Sequence, residues 1–495
     1  MPPKRYIVAV LAFLGFCNVY MLRVNLSIAI VAMTNNHTIS LPDNSVAIVQ
    51  DFDWDSKMRG IILSSFFYGY IMTQIPGGYL SARLGGRLLF GLGIFMTGLF
   101  TLLTPLVARI SVGLLITIRI LEGLFEGVTY PSIHAVWSHW APPAERSKLV
   151  TIAFSGSYIG TVIAMPLSGL IADHAGWPVI FYFFGIVAIV WSLLWWLVVR
   201  DSPFTDPSVT PEELQLYDEQ EQYIEAKVET PWRQILTSLP VWAIIVAHFS
   251  ENWGFYTLLT QLPSFMNGKK SLPLSQGGTC FAWKIHIIIT LADVLGFNLD
   301  QAGFLSALPY LVMAIVVQSG GHIADALRSH AHPKFSFSTT KVRKIMTCTA
   351  FLSQTVFMLL AAYIMTPTAA VTFLTISVGL GGFAWSGFSV NHLDVAPQFA
   401  SILMGLSNCF ATVPGIVSPT LTGIIVPDKS AGEWQMVFII AAGIYLCGAL
   451  FYGMFASGEK QKWAELYEDA GFTLTQGEHN HGYDATATVT PPPLD

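Results

Sequence analysis

Gly78-Tyr79-Leu80-Ser81-Ala82-Arg83-Leu84-Gly85-Gly86-Arg87 closes an apolar run, and Gly321-His322-Ile323-Ala324-Asp325-Ala326-Leu327-Arg328 closes another much later in the chain. Each follows the second apolar run of a set, so the two read as copies of one loop in an internally repeated protein. Glycine at the head of each copy lets two helix ends approach closely. Arg83, Arg87, Asp325 and Arg328 suit a gate, where arginine pairs with a helix C-terminus or an acidic side chain.

Outward from these loops, apolar runs fall at about 7–33, 58–80, 88–108, 112–136, 149–172 and 178–199, then at about 240–266, 300–324, 345–365, 368–390, 399–425 and 434–456, each long enough to cross a bilayer. The chain has 495 residues, 53% apolar and 11% charged. That composition excludes an ordinary soluble domain, which carries about 25% charge. The expected class is an all-α membrane protein with two six-helix bundles, 1–199 and 236–458. A polar linker over 200–235 joins them, and a polar tail over 459–495 follows. The net charge of −6, with basic residues scattered through short loops, offers no patch for nucleic acid. The cysteines, Cys17, Cys280, Cys348, Cys409 and Cys447, show no paired spacing and read as small core residues, with no metal site. The lipid bilayer is the implied environment and a monomer the expected state.

Lys and Arg near span ends are retained in the cytosol. With the N-terminus inside, roughly 16 of the 25 basic residues fall on the cytosolic side and about 7 opposite, so both termini are expected in the cytosol. Asn36-His37-Thr38 is a glycosylation acceptor in the first external loop, with Asn36 as the expected site. Only Arg23 and Arg119 are counted inside spans.

Charge at membrane depth is expensive and usually lines a cavity, pairs, or does work. In the fourth span Arg119, Glu122 and Glu126 lie at i, i+3 and i+7, within roughly a 60° arc beside Tyr130. Gly123 and Gly127 make a small-residue strip for close packing on another face. Two neighbouring carboxylates in low dielectric cannot both ionise cheaply, which makes Glu122 and Glu126 candidates for proton coupling, with His134 continuing the polar path. Arg23, with Tyr20 one turn back, is suited to clamp a carboxylate or phosphate, and Arg119 is a second candidate. The alternative for Arg23 is an ion pair with Glu122 or Glu126 that only locks helices. His248 and Glu251, at i and i+3 of the seventh span, form a secondary candidate site. Asp394, in Asn391-His392-Leu393-Asp394-Val395-Ala396-Pro397, is expected to cap or pair locally, with Pro397 stopping the helix.

At the two loops the chain resembles the major facilitator superfamily, whose signature reads Gly-x-x-x-Asp-Arg-x-Gly-Arg-Arg; Ala82 stands where Asp is usual. That resemblance implies the twelve-helix major facilitator fold with a central site exposed alternately to either side. Further segments resemble the anion-transporter family that includes sialin, the vesicular glutamate transporters and the type I sodium–phosphate cotransporters. They are Arg23-Val24-Asn25-Leu26-Ser27, Ser65-Phe66-Phe67-Tyr68-Gly69-Tyr70, Gln74-Ile75-Pro76-Gly77-Gly78, Trp140-Ala141-Pro142-Pro143-Ala144-Glu145-Arg146-Ser147, Asn391-His392-Leu393-Asp394 and Gly432-Glu433-Trp434-Gln435. The sialin-like branch fits best. It carries Arg, Glu and Glu at Arg119, Glu122 and Glu126, whereas the glutamate branch has Gln at Glu122, His at Leu63 and Arg at Glu251.

The resemblance implies a symporter and not an enzyme. It would move a small anionic substrate, sialic acid or another acidic sugar, from an acidic lumen to the cytosol. Protons would be the coupling ion and no cofactor would be needed. Arg23 would hold the carboxylate, with Glu122, Glu126 and His134 in coupling and gating. A sodium- or potential-driven carrier of phosphate or other organic anions, acidic amino acids included, is the alternative. A lysosomal or vesicular membrane is expected over the plasma membrane, although the family's longer leader with its dileucine sorting signal has no counterpart before the first span. Residues 268–292 fit nothing in the family. They read as a luminal loop insertion or as a translated intron bounded by Gly268-Lys269 and Leu291-Ala292, which sequencing of the transcript separates.

Overall fold

The computed structural model describes residues 2–34, 37–40, 46–49, 51–217, 230–267, 301–328, 337–364, 367–426 and 430–464. The expected glycosylation site Asn36, the insertion 268–292, most of the tail, Cys280 and part of the linker lie outside the described residues.

Six crossings precede the linker: Lys4–Thr34, Ser56–Leu84, Gly86–Ile110, the pair Val112–Glu126 and Thr129–Trp140, Arg146–Ala175, and Trp177–Val198. Six follow it: Leu239–Asn267, Gln301–Arg328, Thr339–Tyr363, the broken run from Pro367 through Val395, Ala400–Ile425, and Ala431–Phe455. Nine of these are long and apolar enough to span a membrane by length and composition, among the described residues. The second, fourth and seventh fall short, being interrupted or carrying polar groups such as Gln74, Glu122 and Glu251. The first external loop adds something the all-α expectation lacked, an antiparallel hairpin pairing His37–Ser40 with Val46–Val49.

The repeat seen in the two loops extends to the packing. In the first half the first helix packs on the fifth, the second on the fourth and the third on the sixth; in the second half the seventh packs on the eleventh, the eighth on the tenth and the ninth on the twelfth. The halves meet through two equivalent seams, second against eleventh and fifth against eighth. The first, fifth and eleventh helices bury 67% of their most apolar window, against 50% for the third and ninth and 44% for the sixth and twelfth. Those outer helices turn Ile110, Leu197 and Met454 outward, where lipid tails solvate them.

Both interruptions occur at symmetry mates. The fourth crossing breaks at Gly127 and Val128, and the tenth contains a π-helical turn over Trp385–Ser389. Such irregularities collect at functional sites. The small-residue strip acts as expected: a Cβ on Gly123 would sit 2.0 Å from the Phe66 carbonyl oxygen, and one on Gly69 2.0 Å from that of Ile120. The second and fourth helices therefore touch backbone to backbone. Gly123→Val is expected to destabilise the purified protein by about 3 kcal/mol or more through overpacking, read as a lowered thermal midpoint.

Candidate functional site

The first and fourth helices bring Arg23 to Glu126. The guanidinium donates from both Nε and Nη2 to Oε1 of Glu126, the Nε bond being 2.8 Å. Three aromatic rings surround the cation, with its carbon 4.8 Å from the Tyr20 centroid, 5.2 Å from Phe66 and 4.7 Å from Tyr70. Rings supply attraction without hydrogen-bond competition, so the guanidinium stays available to an oxyanion. Among the described residues, Oε2 of Glu126 has no hydrogen-bond partner. Tyr20 meets the hydroxyl of Tyr130 at 3.3 Å, which fixes its ring beneath Arg23.

Arg119 and Glu122 form their own pair, held through Nη1 and Oε2. Thr101 and Thr104 of the third helix donate to the other oxygen of Glu122 at 3.1 and 3.4 Å. Arg119 also lies 5.2 Å from the Phe66 centroid, so this ring separates two guanidinium–carboxylate pairs. The two acids predicted to share a face thus have different partners, Glu126 toward the first helix and Glu122 toward the third.

His134 contacts neither acid. Its ring nitrogens lie 3.0 Å from the Tyr130 carbonyl and 3.3 Å from that of Ser389 in the tenth crossing. His392 stands 5.1 Å away, ring to ring. His392 and His248 both meet the Ser407 hydroxyl, at 2.8 and 3.1 Å. This histidine layer therefore ties the fourth, seventh, tenth and eleventh crossings together. Glu251, the other secondary candidate, is separate from it and lines a small, water-sized pocket with Tyr20, Tyr158, Asn252, Phe255 and Trp385.

At the face carrying the N-terminus, the four residues expected to gate divide. Arg87 donates to the Trp196 carbonyl at 2.6 Å, near the end of the sixth helix, and lies 3.7 Å from Asp201. Arg83 rests on the Tyr79 ring at 4.3 Å. Asp325 accepts from the backbone N–H groups of Ser147 and Lys148 at 3.2 and 2.7 Å, capping the fifth helix from the opposite half, with Arg328 at 3.7 Å. A Cβ on Gly78 would lie 2.5 Å from the Ser401 carbonyl oxygen, and one on Gly321 2.9 Å from that of Ser147. Both loops thus sit at the seams.

Asp394 does not pair locally as expected. Arg343 donates to both its oxygens at 2.6 and 3.3 Å, and Arg146 from the other half lies 3.7 Å away. Arg343 also donates to the Ser147 hydroxyl at 2.7 Å, closing a latch between halves. The apolar runs start later than the helices that carry Arg343 and Arg146, which begin at Thr339 and Arg146. Their burial, 0% and 5% exposed, shows that they belong to the interior. Beside the latch, Glu213 of the linker accepts from the backbone N–H of Lys4 and Arg5, and Glu145 accepts from Arg5 at 2.6 Å and Tyr6 at 2.7 Å. Burial opposes ionisation of Glu145, yet these bonds prevail and hold its carboxyl below the usual range. The cysteine expectation holds for buried Cys17 and fails for exposed Cys447. Among the described residues no group of three or more His, Cys, Asp or Glu could hold a metal ion.

Two repeated six-helix bundles, a buried charged pair between the first and fourth helices and a latch joining the halves at one end are the architecture of an alternating-access secondary transporter. Residues 8–419 match the Major Facilitator Superfamily. The chain is 45% identical to sialin of Ovis aries over 477 residues, 93% of this chain and 90% of that one. It is also 45% identical to vesicular glutamate transporter 2 of Homo sapiens over 479 residues, 94% and 76% of the two chains. In fold it resembles the proton:xylose symporter XylE bound to 6-bromo-6-deoxy-D-glucose, with a TM-score of 0.67 at 14% identity over 93% of this chain and 98% of that one. The chain belongs to the Major Facilitator Superfamily, within the family of sialin and the vesicular glutamate transporters. It is a multi-pass membrane transporter and not an enzyme.

Proposed function

We propose that the chain is a proton-coupled symporter that carries organic anions, acidic sugars such as sialic acid foremost, from an acidic lumen to the cytosol. The observation that carries this reading is the Arg23–Glu126 pair, in which a permanent cation is neutralised by a group that can take up a proton. Protonation of Glu126 from the lumen releases Arg23 to receive the substrate carboxylate. In the reverse exchange, loss of that proton to the cytosol returns Arg23 to Glu126 and expels the anion. Net charge in the cavity is the same before and after, which keeps both states affordable in low dielectric. The sialin relative supports an organic anion as cargo, and the excess of basic residues on the N-terminal face supports cytosolic termini. On this reading the Asp394 latch closes the cytosolic side while the lumen loads the site, in a lysosomal or vesicular membrane and as a monomer.

Uptake by proteoliposomes of labelled sialic acid, glutamate and phosphate, each with and without pH and sodium gradients, tests the reading. Sialic acid uptake is expected to rise at least tenfold with a pH gradient and to ignore sodium. Sodium-driven phosphate uptake indifferent to pH would establish the rival instead.

A further inference from the structure

The latch between the halves carries more positive charge than it neutralises. In the C-terminal half Arg343 pairs with Asp394 at 2.6 Å, and Arg328 lies 3.7 Å from Asp325. That set is balanced, two cations against two anions. Arg146 enters it from the other half, 3.7 Å from Asp394, and makes it three against two. Asp325 already accepts from the backbone N–H groups of Ser147 and Lys148, which leaves Arg328 without a close partner. Its Nε and Nη1 atoms are buried with no hydrogen bond among the described residues, while Arg343 and Arg146 both lie within electrostatic reach. Between Asp325 and Asp394 the sequence contains no Asp or Glu, so neither the connection from the eighth helix nor the ninth helix supplies a counter-charge. Glu145, beside Arg146, is held by Arg5 at 2.6 Å and shared with Lys148 at 3.7 Å. A largely buried guanidinium among like charges is costly unless an anion joins it.

We propose that this surplus is an anion-binding site: a small oxyanion, free phosphate or the phosphomonoester headgroup of a lipid, enters from the N-terminal face, bonds Arg328 and holds the latch closed. The planar guanidinium suits phosphate oxygens, and two of its nitrogens still have bonds to offer. The side chain is 17% exposed, so the group is reachable from that face. The site exists only while the face is shut. When the halves part, Arg146 leaves with the fifth helix, the remaining set is balanced again, and the anion loses the charge that held it. A ligand that binds one of two states shifts the equilibrium toward that state. The oxyanion therefore restrains opening at the N-terminal face, apart from the Arg23 site and whatever the cargo.

The test places the full chain in nanodiscs and adds inorganic phosphate or, separately, a phosphatidylinositol phosphate, with chloride at equal ionic strength as the reference. Ser401, 2% exposed at the seam, becomes the reporter as Ser401→Cys with the native cysteines replaced. Its labelling by an impermeant maleimide is expected to fall about fivefold with either probe relative to chloride, as the closed state gains population. Arg328→Gln is expected to abolish that response and to unfold at no lower temperature than its parent, because it removes the uncompensated charge. Arg328→Lys is expected to keep a weaker response, having the charge without the planar fork. A response to phosphate alone supports the site with a soluble ion as its ligand, and a response to the lipid alone supports it with a membrane headgroup. No response to either probe overturns the proposal. A response that persists in Arg328→Gln, as it would if phosphate acted at Arg23, overturns it too, and both results leave the symport reading untouched.

Discussion

Arg23→Ala is expected to reduce anion uptake at least 100-fold and to lower stability by about 3–5 kcal/mol, the usual result of leaving a buried charge without its partner. The two losses have different origins and should separate. In Arg23→Ala the Glu126 carboxylate keeps no cation within bonding distance, since Arg119 is occupied by Glu122. Adding Glu126→Gln removes the stranded charge, so the double variant is expected to recover most of the thermal stability. It should recover none of the uptake, because a paired guanidinium–carboxylate contact worth about 3 kcal/mol corresponds to about 100-fold in affinity. Thermal unfolding and uptake measured on the same four proteins complete a double-mutant cycle. A double variant that transports at the native rate would show that Arg23 and Glu126 only lock helices together.

Asp394→Ala is expected to have the second largest effect, on which face of the transporter opens. Asp394 is the acceptor that draws Arg343 of the ninth helix and Arg146 of the fifth to one point. Without it two buried guanidinium groups lie near each other, Arg146 on the Leu393 carbonyl and Arg343 on the Ser147 hydroxyl, and the closed N-terminal face loses its main attraction. The halves should then rest apart at that face. Ser401 is 2% exposed at the seam and donates to the Gly78 carbonyl at 3.0 Å, so a cysteine placed there reports on the opening. With the native cysteines replaced, labelling of Ser401→Cys by an impermeant maleimide from the N-terminal face is expected to rise at least tenfold when Asp394→Ala is added. Labelling that stays at the level of the parent would mean that the latch does not hold the face closed.

Much of the fold was legible because hydropathy and a repeated loop act over long stretches. Twelve runs, a polar linker and two Gly-headed loops suffice to place six crossings on each side. Span ends were less legible, because apolar composition stops before the helix does. Arg343 and Arg146 sit in the first turns of their helices, where charge in a sequence means a loop and only the packing of the opposite half reveals burial. For the site, helical periodicity grouped Arg119, Glu122 and Glu126 on one helix, yet it could not tell that Thr101 and Thr104 draw Glu122 toward the third helix while Arg23 takes Glu126. Asp394 was misread for a related reason. Its partners are 51 and 248 positions away, and a Pro three residues on suggested a local cap. The π-helical turn at Trp385–Ser389 has no periodicity signal at all, although it places the Ser389 carbonyl against His134.

The central claim is that a proton on Glu126 and an anion on Arg23 are exchanged together. It is tested most directly by recording proton flux with a pH dye inside proteoliposomes while labelled sialic acid moves, for the native protein and for Glu126→Gln. The account predicts fixed proton-to-anion stoichiometry in the native protein, and anion exchange without proton movement in Glu126→Gln. Proton flux that remains tied to sialic acid in Glu126→Gln would contradict it.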